Sequence, residues 1–259
     1  MATYARFENN GARSYGIVTG GRVDESRIEE LRGGLFDPPE PTGRHFALRE
    51  VKLLAPCEPP KILAVGQNYA SHLGERKTPS RPEMFYKPVT SLQDPDGPIV
   101  IPEDAEDVHY EGELVVVIGR TVRHASREEA AAAVFGVTCG NDVSDRNWQR
   151  GPGKDVQYWR AKGCDTFAPL GPFIVTGLDY SDLLLRTLVN GEVAQQQRTS
   201  DLIFDIPTIL SFVSRYVTLT RGDIVFTGTP GNTRRMSPGD VIEVEIEGIG
   251  TLRNPVARN

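Results

Sequence analysis

Two glutamates, Glu111 and Glu113, open the segment YEGELVVVIGR and run directly into the apolar string LVVVI. Side chains at i and i+2 lie on one face of a β-strand, so both carboxylates point the same way. The ordinary account of such spacing is a wet strand face, and the chain carries its own example. Glu243, Glu245 and Glu247 alternate with Ile242, Val244 and Ile246. Glu111 and Glu113 differ because the run that follows them is continuous, the pattern of a strand covered on both sides. Adjacent carboxylates at the end of a buried strand repel each other and resist desolvation unless a cation or a proton compensates. Short E-x-E strings are common, so spacing alone leaves a cation site and a solvated edge both open. A further acid follows a strand-like GVTCG, where GNDVSDRNWQR carries Asp142 and Asp145. Three oxygen donors, with water completing the shell, suit Mg2+ or Mn2+ better than zinc. Read alone, Asp142 is better explained as an Asx turn or helix cap.

The chain has four histidines. His72 and Glu75, in ASHLGE, are spaced i, i+3 and would share a helical face. A carboxylate beside an imidazole fixes its tautomer and raises its basicity, as a general base requires. A surface His–Glu pair accounts for the spacing equally well. His109 lies beside the glutamate pair, as a supporting partner or as an ordinary strand residue, and His45 and His124 stand in polar, loop-like contexts. Lys162, in WRAKGCDTFAP, would be unremarkable on a surface; in a pocket it would bind a carboxylate or stabilise a developing oxyanion. Arg146 and Gln149 lie four and seven residues past Asp142, so a helix starting there would present all three on one side.

The elements that must hold these groups are mostly strands and turns. ILAVG is a buried-strand run, and QNYASHLGE supplies one or two helical turns with Asn68 as cap. KTPSRP is a loop. SREEAAAAVFG is the clearest helix, with Ser126 and Glu129 in capping-box spacing and Gly136 at its end. FDIPTILSFVSRYV is a second, amphipathic helix with Pro207 in its first turn. Asn190-Gly191 marks a tight hairpin, and VIEVEIE alternates as a half-exposed strand. At the N-terminus TYARFEN and YGIVTGGRV are strand-like, SRIEELRGG is a weak helical patch, and DPPEPTGRH is a Pro/Gly-rich linker. The division is a small α/β appendage over residues 1–55 and a main domain over 56–259, the appendage being too short to hold much core alone. No regular βαβ rhythm appears, which argues against Rossmann and TIM arrangements.

Composition bounds the rest. At 259 residues and 28.5 kDa, with 39% hydrophobic and 25% charged residues, the chain can bury a core. A net charge of −6 and a pI near 5.4 argue against a nucleic-acid partner that needs a basic face. No apolar run reaches the roughly 18 residues of a membrane span, and MATYARFENNG lacks the features of a secretory signal. Three scattered cysteines without CxxC speak against a disulfide framework or zinc ribbon. The expectation is a soluble, cytoplasmic protein.

Assembled in order, AVGQNYASHLGE, MFYKP, YEGELVVVIGR, GNDVSDRNWQ, AKGCDTFAPLGPFIV, VNGEVAQQQRTSDLIFDIPTIL, GDIVFTGTP and PGDVIEVEIEGIGTLRNPV resemble the fumarylacetoacetate hydrolase family, in its bacterial acylpyruvase and homoprotocatechuate-isomerase branch. These blocks cover nearly everything from residue 61 to 256. The resemblance implies a mainly β (α+β) fold, a rolled mixed sheet with short flanking helices, and a homodimer. It implies metal ligands at Glu111, Glu113 and Asp142, a His72–Glu75 dyad on a lid segment, and an active-site lysine at Lys162. Arg146 and Gln149 fall where the family contacts the substrate's acid end, and Thr229 falls at a substrate-contacting turn. Two positions depart from the pattern. TGTPGNTRRMSPGD replaces a G-V-G continuation, leaving Arg234 and Arg235 as a distal substrate contact or as solvated residues, the latter slightly favoured. Asn147 stands where many members have an acid.

The implied chemistry is metal-assisted. A 2-oxo acid chelates Mg2+ or Mn2+, which stabilises an enolate as the C3–C4 bond of an acylpyruvate breaks. His72, oriented by Glu75, activates the attacking water. Isomerisation of a 2-hydroxy-dienoate and decarboxylation of an oxaloacetate-like substrate use the same enolate. A non-catalytic, metal-stabilised binding protein is the alternative of a different class.

Overall fold

The computed structural model describes residues 1–20 and 26–259. A long mixed sheet runs in the order Glu40–Ala47, Arg27–Arg32, Ala12–Thr19, Ala2–Asn9, Ala168–Thr176, Val134–Asn141, Gly112–Ile118, Ile224–Phe226, Ile62–Gly66 and Glu83–Lys87. Neighbours along this path are antiparallel except Ile224–Phe226 and Ile62–Gly66, which pair in parallel. A second sheet orders Glu192–Arg198, Leu184–Val189, Val241–Ile246, Gly250–Arg258 and Ile99–Ile101. A short ribbon pairs Val108–His109 with Ser144–Asp145.

The strand Gly112–Ile118 is buried at every residue, as its unbroken apolar run requires. Leu114, Val116 and Ile118 pack into a core shared with Leu185, Val244 and Leu252 of the second sheet. Val115 and Val117 pack on the opposite side with Ala64, Ile174 and Phe226. Each such side chain contributes about 1.5–3 kcal/mol by leaving water. The strand end that carries the two glutamates is therefore held on both faces. The helix Ile206–Ser214 closes the first core through Ile206, Ile209, Leu210 and Val213, with Asp205 accepting from the Thr208 amide as its cap.

Several local expectations hold. Ser126 and Glu129 form a reciprocal capping box on Arg127–Ala131. Asn190 and Gly191, both at positive φ, turn Leu184–Val189 into Glu192–Arg198. Val241–Ile246 alternates half-buried and buried positions.

Others are corrected. SRIEELRGG supplies the strand Arg27–Arg32, because both its flanks pair: Ile17 faces Glu29 on one side and Pro41 faces Leu31 on the other. The linker-like EPTGRH belongs to the edge strand Glu40–Ala47, where Pro41 is tolerated because an edge leaves one row of amides unpaired. Residues 21–23 of YGIVTGGRV lie outside the described residues. Gly136 sits inside Val134–Asn141 instead of ending a helix; a Cβ there would lie 2.6 Å from the Val175 carbonyl oxygen. The first strand joins Ala168–Thr176, with Ala2 opposite Thr176, so the N-terminal strands extend the main sheet.

Candidate metal centre and cavity

Glu111, Glu113 and Asp142 converge. Each offers an oxygen, these oxygens lie within 4.8 Å of one another, and all three residues are buried. The register explains the meeting. Gly112 pairs with Asn141, so the start of one strand and the end of its neighbour are adjacent, and the Asp142 amide donates to the Glu111 carbonyl at 2.9 Å. The Asn141 side chain accepts from the Glu111 amide at 2.8 Å, and the Gly228 amide donates to Glu113 Oε2 at 2.7 Å.

Cations surround the acids. Lys162 Nζ donates to Glu111 Oε2 at 2.8 Å, Asp142 Oδ2 at 2.5 Å and Ser144 Oγ at 2.7 Å, which engages all three of its donors. Lys87 Nζ donates to Asp142 Oδ1 at 2.5 Å and to the Lys162 carbonyl. Arg146 reaches Glu111 Oε1 at 2.5 Å and also binds Gln149 Oε1 and Thr233 Oγ1. Burial works to raise the Glu111 carboxyl, but the Arg146 and Lys162 charges outweigh it and hold it well below the usual range. Glu113 behaves oppositely. Burial, then the Asp142 and Glu111 carboxylates, push it well above the usual range.

The donor set fits a hard divalent cation. It is all carboxylate oxygen and buried, and Glu113, with the Gly228 amide as its one hydrogen-bond partner among the described residues, is the acid least compensated by protein. Glu111, Glu113 and Asp142 would hold such an ion. Glu30, a buried carboxylate on the N-terminal strands, shows the contrast: Ser14, Thr42 and Arg44 all donate to it, so protein alone satisfies it.

A cavity of about 240 Å³ opens onto Glu111 and Glu113 and is walled by His72, Lys162, Gln149 and Thr229 among others. His72 stands on the single helical turn Ala70–Leu73, with Nε2 4.0 Å from Glu111 Oε1 and Nδ1 2.6 Å from the Gly231 carbonyl oxygen. A carbonyl only accepts, so Nδ1 carries the proton and Nε2 presents its lone pair. Burial lowers the imidazole's pKa, and the Glu111 charge only partly offsets this. Thr229 Oγ1 donates to the Gly112 carbonyl and accepts from Gln195 Nε2, both at 2.9 Å, which fixes the turn against the acid strand.

Glu75 is not brought to His72. The helix stops at Leu73 because Gly74 takes φ +58°, and Glu75 lies exposed without a hydrogen bond or ion pair among the described residues. Asn68 is not the cap either; it is buried, donating to the Phe204 and Thr227 carbonyls and accepting from the Phe204 amide. The helix after Asp142 begins later, at Arg146–Arg150, capped by Asp145 through the Trp148 amide. Arg146 thus points at Glu111, while Gln149 faces the cavity. His109 bridges Asp107 and Thr233. Lys87, Ser144, Arg76 and Arg150 escaped the reading of single residues. The MFYKP block contains Lys87 and the GNDVSDRNWQ block contains Ser144, and nothing local marks Arg76 or Arg150.

The fold and the acids together define a mainly β protein with a buried carboxylate site able to hold a divalent cation. The chain belongs to the fumarylacetoacetate hydrolase family: residues 61–257 match the domain described as Fumarylacetoacetate (FAA) hydrolase C-terminal. Residues 3–56 match a second domain, Rv2993c-like, N-terminal. The chain is 45% identical over 243 residues to the protein Rv2993c of Mycobacterium tuberculosis, covering 92% of this chain and 91% of that one. The crystal structure of 5-carboxymethyl-2-hydroxymuconate delta-isomerase from Mycobacterium smegmatis superposes with a TM-score of 0.92 at 44% identity, over 100% of both chains. The mitochondrial oxaloacetate tautomerase fahd2 of Xenopus laevis is 39% identical over 249 residues, 90% of this chain and 76% of that one. Members of this family are divalent-metal-dependent enzymes. Among the described residues, no helix is long and apolar enough to cross a membrane.

Proposed function

We propose that this protein moves a proton along a 2-oxo (2-enol) acid, as a divalent-cation-dependent tautomerase or isomerase, with His72 as the proton carrier. The observation that carries this reading is the anchored imidazole: Nδ1 on the Gly231 carbonyl, and Nε2 facing the acids at 4.0 Å from Glu111 Oε1. A Mg2+ or Mn2+ ion held by Glu111, Glu113 and Asp142 would act as a Lewis acid on the 2-oxo group. His72, neutral because burial disfavours its cation, takes the proton from the carbon next to the oxo group. The electron pair of that C–H bond becomes the new carbon–carbon double bond as the π pair of the 2-oxo group moves onto its oxygen. Return of the proton to oxygen gives the enol, and return to a more distant carbon of a conjugated acid gives the isomer. Lys162 and Arg146 hold Glu111 ionised beside the base. Tautomerisation and isomerisation are also the activities named for two of the relatives.

Hydrolysis of an acylpyruvate is the second reading, favoured by the His72–Glu75 spacing. It needs the same base on a water molecule and a carboxylate to orient it, and the disengaged Glu75 moves the balance toward proton transfer alone. Decarboxylation and a binding role without catalysis stand further off. The discriminating experiment incubates the protein with Mn2+ and either oxaloacetate or acetylpyruvate. Faster loss of the enol absorbance of oxaloacetate without fragments supports the proposal. Pyruvate and acetate from acetylpyruvate select hydrolysis, CO2 selects decarboxylation, and no change with either substrate overturns the enzymatic reading.

A further inference from the structure

His72 stands on a helical turn of four residues, Ala70–Leu73, whose N-cap Tyr69 makes no side-chain capping hydrogen bond among the described residues. A lone turn fixes several backbone dihedrals for a single hydrogen bond, so it does not hold an imidazole's direction unaided. Gly231 supplies the hold. Its carbonyl oxygen lies 2.6 Å from His72 Nδ1, and its amide donates to Ser71 Oγ at 2.9 Å. Two neighbouring side chains of the turn thus grip one residue of the facing loop through both of its backbone polar groups. The sense of the Ser71 hydroxyl is fixed from further out. A carboxylate only accepts, so Gln197 turns Nε2 toward Asp201 Oδ2, 3.1 Å away. Gln197 Oε1 then faces Ser71 Oγ at 2.5 Å and takes its proton, which leaves the Ser71 lone pairs for the Gly231 amide.

We infer that Ser71, oriented by Gln197 and Asp201, is a positioning residue for the His72 base. It pins Gly231 so that the Gly231 carbonyl takes the Nδ1 proton and the Nε2 lone pair faces the acids. This rests on the proton-transfer reading of His72. Without the hydroxyl, the Gly231 amide turns to water at little cost, because Ser71 is exposed. The loop is then free to swing: Gly231 sits at φ +60°, and a Cβ there would meet nothing within 4 Å among the described residues. An imidazole released from the carbonyl takes either tautomer. The Nε2–H form presents a donor in place of a lone pair and takes no proton from the substrate carbon. Ser71 therefore acts on the reaction through the fraction of His72 held in the useful tautomer and direction, without touching substrate or cation.

The test reads the tautomer first and the rate second. Long-range proton–nitrogen correlation NMR of the full chain without metal, labelled at the histidine nitrogens and held where imidazole is neutral, separates Nδ1–H from Nε2–H rings. His72→Ala identifies the His72 signals. The unmodified protein is expected to show His72 as Nδ1–H alone, and Ser71→Ala a mixture of both forms. Ser71→Thr keeps a hydroxyl at an exposed position and is expected to restore the parent's pattern. With Mn2+ and oxaloacetate, Ser71→Ala is expected to lose about tenfold in kcat, the scale of one hydrogen bond. Its KM should stay within about twofold, since only the proton-transfer step has lost a contact, and Ser71→Thr should recover the rate. A parental tautomer in Ser71→Ala overturns the assignment, as does a mixed tautomer with a parental kcat. Absence of turnover in the unmodified protein overturns the proton-transfer reading instead, and the tautomer comparison then decides the anchoring by itself.

Discussion

Lys162 Nζ stands 2.5 Å from Asp142 Oδ2, so an ammonium already touches one of the three carboxylates proposed to share a divalent ion. The same Nζ reaches Glu111 Oε2 at 2.8 Å, while Lys87 takes the other oxygen of Asp142. The acids are thus charge-compensated before any metal arrives, except Glu113, whose pKa is raised first by burial and then by its two acidic neighbours. Buried ion pairs of this kind add little net stability as pairs but are costly to break singly.

Removing one of these cations therefore has a defined signature. Lys162→Met leaves Glu111 and Asp142 buried with less compensation and should lower the stability of the metal-free protein by about 3–5 kcal/mol. Mn2+ restores positive charge at the same carboxylates, so the variant should gain more in Tm from Mn2+ than the unmodified protein does. Differential scanning fluorimetry with and without Mn2+ checks both halves. A variant as stable as its parent without metal would show that Lys162 does not compensate the acids.

His72→Ala should cut turnover on whichever 2-oxo acid proves active by about 10²–10⁴-fold, the usual share of a positioned base. Mn2+ affinity should stay near the parent value, because His72 lies outside the carboxylate set. Steady-state rates paired with metal titrations separate the two effects.

Glu75→Gln discriminates between the reactions. If proton transfer alone is the chemistry, an exposed carboxylate without a hydrogen bond to His72 contributes little, and kcat should change by less than about threefold. A loss as large as that of His72→Ala would establish the dyad and select water activation.

Glu30 ties folding to pH. Burial opposes its ionisation, but hydrogen bonds from Thr42, Ser14 and Arg44 outweigh burial and lower its pKa. A carboxyl depressed in the folded state contributes stability above its unfolded pKa and loses it as pH falls through the folded one. Glu30→Gln should cost about 1–3 kcal/mol at neutral pH, with the difference from the parent shrinking toward zero in acid. Urea denaturation at a series of pH values measures it; a constant difference would contradict the assignment.

What the sequence disclosed, and what it did not, divides by range. The acids at 111 and 113 stood out because a continuous apolar run followed them, and Ser126 with Glu129 and Asn190 with Gly191 each carried a complete local signal. SRIEELRGG misled because Ile28 and Leu31 have a spacing that suits a helix, while the pairing of both strand edges, which decides the matter, is set by residues far along the chain. Glu75 misled because the turn at Gly74 ends the helix within one residue of Leu73. Arg150 lines the cavity, and Lys87 pairs with Asp142 across 55 positions, only because the fold brings distant segments together.

The most direct test of the cation site is calorimetric titration of Mn2+ into the metal-stripped protein and into Glu113→Gln, with circular dichroism confirming that the variant is folded. The account predicts a single site per chain in the unmodified protein, chelator-reversible, and no measurable binding in Glu113→Gln. Retention of the parent's stoichiometry and affinity by that variant would contradict it.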